Sequence, residues 1–143
     1  MNNLKTIAAC CLAILLALYV VGAVSHGSLR HEVQTIALWA PIVAGFNRRE
    51  FARWCALPCL VFWLFVMSLI WLFLLGWSHV ISGTFSPVEI AMTLVVGTAS
   101  AIGLAFCLWR ARWTLPGCAL IVLFAALQVA AFRISMLPAI AHQ

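Results

Sequence analysis

Long apolar runs, broken by short polar stretches, set the outline of this chain. The first runs from Thr6 to Val24, the second from about Cys55 to Trp77, the third from Pro87 to Trp109 and the fourth from about Pro116 to Leu137. A helix needs about 20 residues to cross the hydrocarbon core of a bilayer, and each run meets or nearly meets that length. The second carries no charge in its interior, and the fourth contains Gln128 and Arg133. The third has the clearest start. Ser86, Pro87 and Glu89 fit a capping box, with serine as N-cap, proline at the first helical position and glutamate three residues after the cap. Glu89 also suits the positive end of that helix's dipole.

Residues 25–54 form the only sizeable polar connection. Within it Leu29, Val33, Ile36, Ala37 and Ala40 recur at helical spacing, while Arg30, His31 and Gln34 fall on the other side. Leu38 breaks the pattern. Ser28 is a candidate cap and Pro41 a candidate break. This predicts a short amphipathic helix lying along the membrane surface. The expected fold is therefore all-α: one membrane domain over residues 1–143, a four-transmembrane-helix bundle with a short interfacial helix between its first two spans.

Composition supports lipid as the solvent. The chain is 66% hydrophobic and 8% charged, against roughly 25% charged residues in soluble domains. The net charge of +5 does not point to nucleic acid, because the single lysine and the arginines are scattered rather than clustered beside polar readers. They act instead as topology signals. Arg48, Arg49 and Arg53 precede the second span, Arg110 and Arg112 follow the third, and loop 78–86 has neither Lys nor Arg. By the positive-inside rule, segments 47–54 and 110–115 are expected in the cytoplasm and loop 78–86 outside, in a multi-pass protein of a bacterial cytoplasmic (inner) membrane. Arg49 and Arg53, four apart, also form a basic edge suited to anionic lipid head groups.

Two solutions stay open for the N-terminus. Four spans put it outside. Five spans put Lys5 inside, with residues 35–46 crossing, although twelve helical residues cover only about 18 Å. The first run also has some features of a signal peptide, but its length favours an uncleaved helix.

Few motifs carry chemistry. His31 to Thr35 reads HEVQT, which lacks the second histidine of a zinc-protease helix. His26, His31 and Glu32 remain a candidate region for a small membrane enzyme. Cys55, Cys59, Cys107 and Cys118 are expected near one end of the bundle, where four thiolates would suit zinc or an iron–sulfur cluster; ordinary buried thiols are the bland alternative. No particular cofactor is implied. Thr93, Gly97, Ala101 and nearby Gly103 suggest a small-residue packing face on the third span, and Gln128 an interhelical hydrogen bond. The aromatic second span, with Phe62, Trp63 and Phe65, is expected to face lipid or a partner. Glu89 and Arg133 belong to the same leaflet and form a possible polar pair.

No complete catalytic motif is present. The first functional expectation is a non-catalytic accessory or assembly subunit of a membrane complex, associating with lipid and with other subunits or itself. A small enzyme or metal or redox-cofactor protein is the alternative, and an oligomeric transporter or channel the third.

Overall fold

The structure, a computed structural model, describes residues 3–141 apart from positions 26, 79, 81, 82, 110 and 112, with backbone alone at 139 and 141. The four apolar runs are helices: α1 (Asn3–Val24), α3 (Phe51–Leu74), α4 (Pro87–Leu108) and α5 (Leu115–Ser135). Each is long and apolar enough to cross a membrane. A short α6 (Pro138–Ala141) follows, and the described residues contain no strand. The capping box at the start of α4 is formed: the Glu89 N–H donates to Ser86 Oγ (3.3 Å), and the Ser86 N–H donates to Glu89 Oε2 (2.7 Å). Thr114 caps α5 by accepting from the Gly117 N–H (3.2 Å).

The second span begins earlier than its apolar run, at Phe51 rather than Cys55. Pro58 therefore lies inside the helix and not in its first turn, so the Trp54 carbonyl loses its usual donor four residues on. The span ends where Gly76 takes φ 75°. There the Gly76 N–H donates to the Phe73 carbonyl (2.9 Å) and the Trp77 N–H to the Leu72 carbonyl (2.9 Å), the pattern that closes a helix on a left-handed residue.

The polar connection departs furthest from expectation. It forms α2 (Ser28–Phe46), a helix of 19 residues, about 28 Å long at 1.5 Å per residue. It is not a short helix laid across the end of the bundle. It runs back antiparallel along the length of α1 and also packs against α3 and α5. At one end Gly22 of α1 lies against Ser28 and His31; at the other, Gly45 lies against Leu4 and Ala8. Pro41 does not stop α2. It leaves the Ala37 carbonyl without its helical N–H, and the Cys59 thiol reaches that oxygen at 3.9 Å. The helix closes instead at Arg48, which takes φ 56°, with the Arg49 N–H donating to the Ala44 carbonyl at 2.8 Å.

The faces of α2 explain why Leu38 broke the amphipathic pattern. Gln34, Thr35, Ala37, Leu38, Pro41 and Ile42 are buried. Ile36, Trp39, Val43 and Phe46, spaced by three and four, are each 45–54% exposed. Gln34 and Thr35 turn into the bundle, Arg30 and His31 are half-buried, Glu32 stays exposed, and an apolar stripe turns out. That is the reverse of a helix floating at a water interface with its charges in water.

The five long helices alternate in direction. α1 lies between α2 and α4, α3 packs against all four other long helices, and α5 closes against α3 and α2. Lys5, Arg48, Arg49 and Arg53 consequently share one end, the basic end, where the Cys107 thiol lies 3.7 Å from the Arg53 carbonyl and Gly117 packs on Trp54. Arg30, His31, Glu89 and Arg133 belong to the opposite end.

The packing face of α4 follows Thr93, Val96, Ser100, Gly103 and Cys107. These alternate three and four residues apart and keep to one seam. A strict four-residue step advances about 40° each time, so Gly97 is only half-buried and Ala101 is exposed. Gly103 sits where a Cβ would come within 3.0 Å of Leu60 and 3.1 Å of Cys10.

The approach of α2 to α1 is checked at Gly45, where a Cβ would stand 2.8 Å from both Ala8 Cβ and the Leu4 carbonyl oxygen. Gly45→Ala is expected to cost about 1–3 kcal/mol through overpacking and to lower the thermal midpoint in detergent. Gly97→Ala, with its nearest side-chain atom 3.9 Å away, is expected to be neutral or mildly stabilising. Equal midpoints for the two variants would contradict this α1–α2 contact.

Candidate functional site

A cavity of about 320 Å³ opens at the end opposite the basic one. All five long helices contribute to its wall. Because α2 and α4 both start at this end, their first turns place polar side chains around the mouth: Arg30, His31 and Gln34 from α2, and Glu89 and Thr93 from α4. Farther along the helices the wall becomes apolar, with Trp63 and Met67 of α3, Val96 of α4 and Phe132 of α5. Trp63 is 2% exposed. Residues 83–85 of the α3–α4 connection lie over one side.

The helices around the mouth are tied together by side-chain hydrogen bonds. Gln34 Nε2 donates to Ser135 Oγ (3.0 Å), which in turn donates to the Phe132 carbonyl (2.7 Å). Gln128 Nε2 donates to the Gln34 main-chain oxygen (3.2 Å). Gln128 and Ser135, two turns apart on α5, thus both fasten α2, each such bond contributing about 0.6–2 kcal/mol in a lipid setting. Arg30 reaches Met136 Sδ with a terminal nitrogen (3.3 Å). Arg30 Nε, His31 Nδ1 and Trp63 Nε1 are buried without a hydrogen-bond partner among the described residues.

The structure separates several residues that the sequence groups together. Glu89 lines the cavity, whereas Arg133 is exposed and does not; the cation that shares the cavity with Glu89 is Arg30. His31 lines it too, Glu32 is exposed, and His26 lies outside the described residues. Cys55, Cys59 and Cys107 are buried in the half of the bundle nearer the basic end, but Cys118 is exposed. Cys10 and Cys11 of α1 are buried as well. Among the described residues no group of three or more His, Cys, Asp or Glu side chains is arranged to hold a metal ion. Of the topology arginines, Arg48 and Arg49 are exposed, and Arg53 is half-buried with a terminal nitrogen 3.4 Å from the Trp109 carbonyl. There its charge meets the negative end of α4. Arg110 and Arg112 lie outside the described residues.

Two cavity residues escape a reading by motif. Trp63, expected on the lipid or partner face, turns inward, and Arg30 reads as an ordinary surface charge. A signal for Trp63 does exist. Ala52, Cys55, Ala56 and Cys59 mark a small-residue face on the second span, and continuing that face at helical spacing reaches Leu60, Trp63 and Met67, all buried. Phe65, on the opposite face, is 60% exposed.

No family model matches the chain, and neither a curated protein nor a solved structure matches it.

Proposed function

We propose that this is a small multi-pass protein of a bacterial cytoplasmic membrane that holds an amphiphilic small molecule in the cavity and has no catalytic step of its own. The observation that carries this reading is the graded wall of the cavity. Polar side chains ring a mouth at one end of the bundle, and an apolar, partly aromatic floor lies toward its middle. A ligand site typically combines a mostly apolar lining with a few convergent polar groups, and a molecule with a polar head and an apolar body matches this gradient.

The charge distribution supports an orientation. Lys5, Arg48, Arg49 and Arg53 lie together, at the end where the chain passes from α4 to α5, and the sequence of that connection carries Arg110 and Arg112. That favours a cytoplasmic basic end and a cavity facing the other side. The full length of α2 favours five crossings over four, with the N-terminus inside and the C-terminus outside. The inward turn of Arg30, His31 and Gln34 fits the same setting, since polar groups within a membrane face the bundle interior.

An accessory or assembly role in a larger membrane complex is the second reading. It rests on an apolar groove between α3 and α5, lined by Leu57, Phe62, Phe65, Ile121 and Ala125. Gln128 also lines it and has Oε1 unpaired among the described residues.

Protein purified in mild detergent is expected to carry about one bound amphiphile per chain on native mass spectrometry. Met92→Trp, which fills the cavity from its α4 wall, should remove that mass while the protein still melts cooperatively; an unchanged bound mass would contradict the cavity site. For orientation, a fluorescent protein fused to the N-terminus should fluoresce in the cytoplasm, and a phosphatase fused to the C-terminus should be active outside. The opposite pattern at either end would overturn the five-crossing arrangement.

A further inference from the structure

The two charges at the mouth of the cavity stand on different walls. Arg30 comes from the first turn of α2 and Glu89 from the first turn of α4, and α1 lies between these helices, which do not pack on each other. Each charge is anchored on its own side: Arg30 reaches Met136 Sδ (3.3 Å), and one Glu89 oxygen accepts the Ser86 N–H (2.7 Å). Both side chains are half-buried and both line the cavity. Opposite charges at a site of reduced dielectric attract strongly, yet here they are held apart with a cavity beside them. His31, next to Arg30 in sequence, lines the same cavity.

We propose that the cavity selects a zwitterionic head group, its phosphate or carboxylate against Arg30 and its ammonium against Glu89. The inference rests on the amphiphile-binding reading and names the chemical class of the ligand. A purely anionic head satisfies Arg30 but is repelled by Glu89, and a purely cationic head meets the reverse. A head carrying both signs pairs with both walls, and the apolar floor formed by Trp63 and Met67 receives the first part of its chain. Complementary charge placement of this kind gives selectivity by penalising the wrong ligand as much as by attracting the right one.

The test compares three probes on the full chain in maltoside detergent: lysophosphatidylethanolamine, lysophosphatidylglycerol with the same acyl chain, and free phosphoethanolamine. The ethanolamine lysolipid is expected to bind at least about tenfold more tightly than the glycerol one, about 1.4 kcal/mol. Free phosphoethanolamine is expected to bind far more weakly than the lysolipid; equal affinity would move the ligand from a lipid to a soluble zwitterion and overturn the amphiphile reading while sparing the head-group inference. Glu89→Gln keeps the capping box, which accepts either residue at this position. It should weaken ethanolamine binding about tenfold and leave glycerol binding unchanged or tighter. Arg30→Gln should weaken both lysolipids. Equal affinity of the wild-type protein for the two lysolipids, or an equal loss of both in Glu89→Gln, would overturn the zwitterion inference and leave the amphiphile site standing. Binding of none of the probes would remove both.

Discussion

In the proposed membrane setting, a polar group surrounded by hydrocarbon has no water to turn to, and this constraint accounts for how α2 sits. The helix begins with Arg30, His31 and Glu32 and carries Gln34 and Thr35 farther in. On a water-facing surface these groups would point outward. Here Gln34 and Thr35 are buried, Gln34 is tied to Ser135 and Gln128, and Ile36, Trp39, Val43 and Phe46 form the outer stripe. In lipid each unsatisfied polar group costs several kcal/mol, so turning the polar side inward is the favourable arrangement. The cavity, its polar mouth and the separation of Arg30 from Glu89 all follow from that turn.

Close packing makes the turn feasible. A helix with a proline in its middle has a carbonyl to spare, and α2 places that carbonyl against the Cys59 thiol. Gly22 and Gly45, one on each partner, mark the close contacts at the two ends of the α1–α2 hairpin. Small residues let backbones come close where packing rather than water drives association. α1 packs along both α2 and α4, so its inner surface covers a face of each. The basic end follows from connectivity: once α2 runs the whole length of α1, Lys5 must share an end with Arg48, Arg49 and Arg53.

Much of this was legible in the sequence. The four apolar runs became helices close to their expected bounds, and Ser86 and Glu89 announced the start of α4 through a capping chemistry that depends only on local spacing. For α2 the sequence anticipated a helix but neither its length nor the face that turns inward, and the reason is physical. Amphipathic periodicity shows that a helix has two faces but not which face meets the protein, and the answer inverts between water and lipid. Leu38 was the clue, since it sits among the residues that turn inward. The small-residue face of α4 was read at a fixed step of four, which drifts around the helix, so Ala101 fell outside the seam that Ser100 and Gly103 occupy. The cavity itself was out of reach. Arg30, Trp63 and Glu89 lie on three helices, and their meeting depends on the directions of α2, α3 and α4 together.

Spin labels placed singly at Ile36, Trp39, Val43 and Phe46 report whether α2 runs the depth of the bundle with its apolar stripe in lipid. In reconstituted bilayers, the relative accessibility of each label to oxygen and to a water-soluble nickel complex reports its depth. Lipid exposure is expected at all four positions, with Ile36 and Trp39 deepest, Val43 shallower and Phe46 nearest the surface at the basic end. Four labels at one shallow depth, all open to the nickel complex, would contradict it and return α2 to the membrane surface.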